Sequence, residues 1–400
     1  MTISTLTFQT NALNQFEALD AALSKTQLQL STGKQIQSAA DNPTGMAEVN
    51  QLNVELSASQ QYVTNGDLAG TNLNLEAQAL TDSTNLLQSV RDVAIQGNNS
   101  SLNAADRQDL ATQLQQQLQQ LIGIANRQDG NGNYLFSGYA AGTQPFAQSG
   151  SAVNYAGADG VSQAQISPEQ RISAGDAGSA VFMNLPAGNG TFTTAAAGGN
   201  TGSASIDPGT VTDPSQWIAD QYTISFSSPT QYQITDTTTN TPVTSGSISG
   251  AAGSSSTISF NGVQVSLSGT PAAGDSFTVQ PAGTASVFST ISGLISTLSS
   301  TTLTPAQMAT RISQGLAQID GAMNHINGVQ ASVGARINAV SAAQTSAQSQ
   351  QTAYQTSISK VSDTDYAKAA TQLSSEELAL QAAQESYASI GKLSLFNYVQ

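Results

Sequence analysis

The sequence predicts an α+β fold: terminal helices and a long antiparallel α-helical coiled-coil rod, with an all-β domain inserted in the middle. Three observations predict it. Apolar residues recur at four-three spacing on both sides of the chain's centre, as in a helical seam. The central third has no such period; β-branched and aromatic residues alternate there between turn residues. A Gly- and Pro-punctuated stretch, Leu30–Gly45, interrupts the first helical pattern.

Composition narrows the function classes. Charged residues make up 9% of the 400 residues, against about a quarter in ordinary proteins. Ser, Thr, Gln, Asn, Gly and Ala fill the gap. The net charge of -15 argues against nucleic acid and anionic membrane surfaces, which need Lys and Arg. There is no Cys, so disulfides, Cys metal sites and thiol catalysis are excluded. No run of about 18 apolar residues exists to span a membrane. Met1–Leu6 lacks the basic and apolar regions of a cleaved signal peptide. Export would therefore use another route.

The first helix is expected over Thr7–Leu30. Phe16, Leu19, Leu23 and Leu30 recur at helical spacing, with Ala12 and Leu13 on the same side. One helix cannot bury such a face alone. Gly33 is a good helix stop, since a residue past a helix end often takes positive φ. Asn42-Pro43 blocks helix before the proline. Asp41 or Asn42 caps the next helix, with Pro43 at its first position. The residues Gly33, Asp41, Asn42, Pro43 and Gly45 thus form an ordered joint.

A longer helical region is expected over Thr44–Gln96. Leu73, Leu80, Leu87 and Ala94 are seven apart, with Ala77 and Val90 between. Gly97–Ser101 is a turn. Asn103 caps another helix carrying Leu110, Leu114, Leu118, Leu121 and Ala125, which ends near Asp129–Asn133.

Tyr134–Gly138 then reads as a strand, and helical period stays absent to about Gly283. Tyr222–Phe226, Gln231–Ile234 and Thr257–Val265 are β-prone, and Asn261-Gly262 is a hairpin signal. The stretch reads as one all-β domain, or as a β domain with flexible loops around Ala195–Ser205. Its Ser/Thr/Gly richness also fits disorder, but the aromatic and β-branched alternation favours strands.

Helical pattern resumes near Ser286. Ile312, Leu316, Ile319, Met323, Ile326, Gln330, Val333, Ile337 and Val340 form the cleanest seam in the chain, with Gln330 its one polar member. The period returns at Tyr354, Ile358 and Val361. About 60 helical residues make a rod of about 90 Å, which needs partners along its length. A last amphipathic helix, Ala369–Tyr398, carries Leu373, Leu380, Ala383, Tyr387, Ile390 and Leu393. The layout is palindromic and brings both chain ends to one end of the rod.

Catalytic and metal chemistry finds little to work with. His325 is the only histidine and sits beside the seam, a packing or surface position. Asp129–Asn133 resembles a calcium loop only faintly, because Tyr134 and Ala140 stand where Gly and Glu belong. Asp363 and Asp365 suit capping at a helix break. Glu376-Glu377 is an acidic step near a helix start. Trp217 is a core residue of the β region rather than a sugar platform. The glycosylation patterns at Asn99 and Asn189 are expected by chance in so Ser/Thr-rich a chain. No phosphate-cradling glycine loop is present. No catalytic, cofactor-binding or metal residue is assigned.

The joint Leu30–Gly45, read as LSTGKQIQSAADNPTG, resembles the N-terminal signature of the flagellin superfamily. Leu87–Asn98 resembles that superfamily's second signature block. Ala125-Asn126, the run Gly132–Gly138, Pro145-Phe146 and the ending Ser389–Val399 resemble the hook-associated protein 3 (FlgL) branch more than filament flagellin. The likeness covers roughly the first 146 and last 110 residues; the central β region resembles no named family.

The resemblance implies a non-enzymatic axial subunit of the bacterial flagellum without cofactors, in a ring joining hook to filament and templating flagellin polymerisation. It implies extracellular placement after export by the flagellar type III apparatus. Implied partners are neighbouring copies, the other hook-associated junction protein on the hook side, flagellin on the filament side and an export chaperone, with no nucleic acid and no membrane. It also implies terminal helices that fold only when neighbours bury them.

The expected division is 1–42 and 363–400 as inner-tube helices, 43–133 and 284–362 as rod halves, and 134–283 as the outer β domain. Phe16, Leu19, Leu23, Leu30, Leu373, Leu380, Tyr387, Ile390 and Leu393 are the expected subunit-interface residues. Leu73, Leu80, Leu87, Ile312, Leu316, Ile319, Ile326, Val333 and Ile337 are the expected rod seam. The joint is the expected hinge between them. A filament flagellin is the alternative. From another class, the alternative is a secreted adhesin or carbohydrate-binding rod.

Overall fold

The computed structural model describes residues 5–249 and 255–393, with side chains at 5, 6, 8, 9 and 390–393 left aside. The expected interface residues Ile390 and Leu393 and the ending Ser394–Val399 therefore lie outside the described side chains. The chain forms helices α1 (Thr5–Thr32), α2 (Pro43–Gly97) and α3 (Ala104–Ala125). Strands β1 (Phe146–Ser149), β2 (Ala152–Tyr155), β3 (Gln163–Gln165) and β4 (Arg171–Ser173) follow, then one π-turn at Ser179–Met183. Next come β5 (Leu185–Pro186), β6 (Phe192–Ala196), β7 (Ser205–Ile206), β8 (Thr210–Val211), β9 (Tyr222–Phe226), β10 (Gln231–Asp236) and β11 (Thr241–Ser247). The order closes with β12 (Ser255–Phe260), β13 (Val263–Ser268), β14 (Ser276–Pro281), β15 (Thr284–Ala285) and helices α4 (Val287–Leu298), α5 (Pro305–Ser362) and α6 (Tyr366–Leu393). The fold is α+β, with long helices toward both ends and antiparallel sheets between them.

Two compact units are distinguished. One takes residues 1–64 and 344–400; the other takes residues 65–343.

In the first unit, α1 packs on α6. Phe16 and Tyr387 meet edge to face with ring centroids 5.7 Å apart. Phe16, Leu19, Leu23, Leu30, Leu373, Leu380 and Tyr387 are half-buried. Leu13 is 57% exposed; contrary to expectation it does not share the packed side of Phe16.

In the second unit, the helical core is built by seam positions. Leu73, Leu80, Leu87, Ile312, Ile319, Ile326 and Val333 are buried in one cluster, with Leu316 and Ile337 packed at its edge. Gln330, the polar seam member, donates to Thr81 Oγ1 at 2.9 Å. Asn103 and Ser286 close capping boxes at the starts of α3 and α4. Helix α3 ends at Ala125, earlier than the turn at 129–133, because Asn126 caps it and binds Phe146 through both amide atoms at 2.8 and 2.9 Å.

Tyr134–Gly138 is a turn and not a strand. Phe136 is an inward anchor, stacked edge to face on Phe182 at 5.1 Å, and Ser137 Oγ donates to Tyr134 O at 2.8 Å. Phe136, Phe146, Val153, Phe182 and Leu185 belong to the helical core.

The segment 192–281 has its own core. One sheet runs β11-β10-β9-β14-β6; another runs β12-β13-β7 with β8 also on β13. Tyr222, Ile224, Phe226, Phe277 and Val279 from the first meet Ile258, Val263, Val265 and Leu267 from the second. Strand β9 buries alternate residues, as period-two strands do. Asn261-Gly262 is the two-residue loop between β12 and β13. Residues 197–204 are tied down: Asp275 accepts from the backbone of Thr201 at 2.8 Å and Gly202 at 3.1 Å. Trp217 packs between Phe192 and Tyr222 at 5.6 and 5.8 Å. Gln307 and Thr310 at the start of α5 hold this segment by bonds to Gly198 O and Ile206 N at 3.1 and 3.2 Å.

Candidate functional site

The joint between α1 and α2 is built from short-range rules and one long-range contact. Thr32 Oγ1 back-bonds to Leu28 O at 2.7 Å, and Gly33 closes α1 with φ +68° and its N–H on Gln29 O. The left-handed backbone costs an L side chain about 1–2 kcal/mol. A Cβ there would also stand 2.8 Å from the Tyr366 hydroxyl. Asn42 caps α2, its Oδ1 accepting from Gly45 N–H at 3.0 Å. Gly45 is buried, and a Cβ on it would meet Ile36 Cδ1 at 2.6 Å. Ile36, the joint's one buried apolar side chain, is therefore seated on a bare helix start.

Asp41 does different work from Asn42. It folds back to accept from Gln37 N–H and Ser38 N–H at 3.3 and 3.1 Å, and pairs with Lys25 at 2.8 Å. The Lys25 ammonium, then these bonds, hold its carboxyl down at about 2.

The long-range contact is with the break between α5 and α6. Lys34 and Asp363 form an antiparallel bridge. Gln35 N–H donates to Ser362 O at 2.7 Å, and Thr364 N–H donates to Gly33 O at 2.9 Å. Lys34 Nζ lies 2.6 Å from Asp363 Oδ1 and holds that carboxyl below the usual range. Asp365 starts α6 by accepting from Ala367 and Lys368 N–H at 3.0 and 3.1 Å. The two helix breaks are thus one clasp. Sequence reading identified the joint but missed Lys34, Gln35, Ser362 and Thr364 as its fastening. The visible signal was a second break, Ser362–Asp365, at the mirror position in the chain.

Beside the clasp, the α1–α6 pair leaves apolar side chains outward within the first unit: Leu28 is 51% and Leu378 68% exposed. Such a surface suits association rather than chemistry.

The residues weighed for chemistry have structural surroundings. His325 Nε2 lies 2.8 Å from Ala180 O. Asp129 Oδ1 accepts from Asn131 and Asn133 N–H at 2.8 and 2.9 Å, an Asx turn. Among the described residues, no group of three or more His, Cys, Asp or Glu side chains is placed to hold a metal ion. No described helix is long and apolar enough to cross a membrane.

The chain matches three family models: the bacterial flagellin N-terminal helical region over residues 3–141, the bacterial flagellin C-terminal helical region over 316–399, and the D2-like domain of flagellar hook-associated protein 1 over 195–281. The last coincides with the sandwich that sequence reading left without a family. Flagellar hook-associated protein 3 of Escherichia coli strain K12 is 30% identical over 158 residues, 39% of this chain and 49% of the relative. The chain thus spans about half the length of the curated relatives it matches. FlgL of Xanthomonas campestris, a crystal structure, is 31% identical, with a TM-score of 0.69 over 76% of this chain and 98% of that one. The flagellar junction protein FlgL of Legionella pneumophila is 30% identical, with a TM-score of 0.69 over 79% and 99%. Because it covers these FlgL structures nearly end to end at this identity, the chain belongs to the FlgL branch of the flagellin superfamily.

Proposed function

We propose that this chain is a structural axial subunit of the bacterial flagellum at the hook–filament junction, where it templates flagellin polymerisation. The observation that carries the reading is the near-complete coverage of two FlgL structures at about 30% identity. The outward apolar side chains of the α1–α6 pair support an assembly role. Its partners would be copies of itself, the other hook-associated junction protein on the hook side and flagellin on the filament side. An export chaperone and the flagellar type III apparatus would bring it to the extracellular flagellum. Its role is structural rather than enzymatic.

Phe16, Leu19, Leu23, Leu30, Leu373, Leu380 and Tyr387 would lie at or beneath the subunit interface. The seam from Leu73 to Leu87 against Ile312 to Ile337 would be the internal support. The joint at Gly33–Gly45 would act as a hinge only together with Ser362–Asp365, because the clasp couples them.

Deletion of the gene tests the reading. Mutant cells should complete hooks but release flagellin into the medium as monomer, and a plasmid copy should return it to the cell surface. Cell-attached flagellin at the wild-type level in the mutant would contradict the reading.

A further inference from the structure

Glu76 on α2 occupies a seam position three residues after Leu73 and four before Leu80. It is 1% exposed, and neither carboxyl oxygen has a hydrogen-bond partner. A buried, unbonded carboxylate is strongly penalised. Its ionic surroundings explain how it is tolerated. Asp176 faces it from the loop before the π-turn, and Arg336 faces it from α5. Arg336 Nη2 donates to Asp176 Oδ2, and its Nη1 donates to Gly175 O at 3.1 Å and Ser173 O at 3.4 Å. Glu76 and Asp176 border a cavity of about 150 Å³ whose other ionisable linings are Asp129 and Tyr134. Asp129 is engaged by Asn131 and Asn133.

Two ionised carboxyls and one guanidinium would leave one negative charge without compensation inside the fold. A proton on Glu76 makes the cluster neutral and supplies an O–H donor. We propose that Glu76, Asp176 and Arg336 form a proton-dependent latch: with Glu76 held as the neutral acid, the 174–178 loop stays seated against α2 and α5, and loss of that proton releases it. Burial, and then the charge of Asp176, push the Glu76 carboxyl up to about 9, against the pull of Arg336. The sign follows. The folded chain binds a proton that the unfolded chain has lost once pH exceeds the ordinary value of 4.5. Rising pH therefore weakens the latch progressively up to about 9 and no further above it. The release would reach beyond the loop, since the π-turn that follows carries Phe182 into the helical core against Phe136, Phe146 and Phe288.

The test is amide hydrogen exchange on the purified full chain at several pH values, corrected for intrinsic base catalysis. Corrected protection of residues 174–182 should fall about tenfold per pH unit between pH 6 and pH 8 and level off above about 9, as the linkage of a carboxyl raised from 4.5 to about 9 dictates. Glu76→Gln, neutral at every pH, should show flat corrected protection. Infrared spectroscopy of the wild type keeps the proposal testable if that variant fails to fold: a protonated-carboxyl C=O band should be present at pH 7 and vanish as pH passes 9. Equal corrected pH dependence in the two proteins, or no such band at pH 7, overturns the proposal.

Discussion

Lys34 and Asp363 stand 329 positions apart in the chain, yet their side chains meet at 2.6 Å and their backbones form an antiparallel bridge. This pairing means that the two terminal helices do not leave their long neighbours at independent points. The backbone bonds Gln35–Ser362 and Thr364–Gly33 flank the ion pair. An exposed ion pair alone contributes about 0–1 kcal/mol, so the main-chain bonds are the fastening and the charges set the register.

Gly33→Ala should loosen the clasp. It forces an L side chain into φ +68° and against the Tyr366 hydroxyl, costing about 1–2 kcal/mol. Amide exchange at 33–36 and 362–364 should accelerate together. Adding Tyr366→Phe should recover the steric part but not the backbone part. Acceleration at 33–36 alone would mean the two breaks are independent. Gly33→Pro, or deletion within Ser38–Asn42, should abolish assembly while leaving the seam folded.

Acid should open the same joint. Asp41, beside Lys25, and Asp363, beside Lys34, are both depressed below the usual carboxylate range. A depressed carboxyl contributes stability that is present above its unfolded value and lost as pH falls through its folded one. The loss should therefore begin below about pH 4 and be nearly complete around 2 for Asp41. Lys34→Met should reduce the Asp363 share, the rest being held by the Ser359 and Ser362 hydroxyls, and salt should shrink both. Limited proteolysis by an acid protease between pH 4 and 2 measures it.

Leu80→Ala and Ile319→Ala should each cost about 2–5 kcal/mol in urea unfolding, as fully buried seam residues do. Leu378→Ala, at a position 68% exposed, should change monomer stability by less than about 0.5 kcal/mol. If α6 packs on neighbouring subunits, the same substitution should nevertheless reduce assembly. A Leu378 variant that assembles normally would place that face outside the interface.

Phe182→Ala and Phe277→Ala should separate the two cores of the central region. Each removes a fully buried ring and should cost about 3–5 kcal/mol. Phe277→Ala should release amides within 192–281, whereas Phe182→Ala should release amides of α3, α4 and the 136–187 stretch. Identical exchange patterns would show one cooperative core.

The helices were legible because four-three spacing survives where cores are built from Leu, Ile and Val. The observed ends of α1 and α2 lie within about two residues of those expected, since Gly33, Asn42-Pro43 and Gly97 are local signals. The Asn261-Gly262 hairpin was legible for the same reason. Tyr134–Gly138 was misread as strand because its aromatics anchor a turn, and burial of single rings mimics strand alternation. The two breaks were legible but not their pairing, because its bonds are main-chain and join segments more than 300 residues apart. Glu76 was overlooked although the Leu73–Leu80 spacing places it, with Ser83 and Val90, on the buried side of the seam. A charged residue at such a position is itself a signal.

Immunogold electron microscopy of flagella carrying this chain with a tag in the 197–204 loop would show where the subunit sits. Gold should be confined to a single band where the hook meets the filament. Gold distributed along the filament would contradict that placement and make the chain a filament subunit.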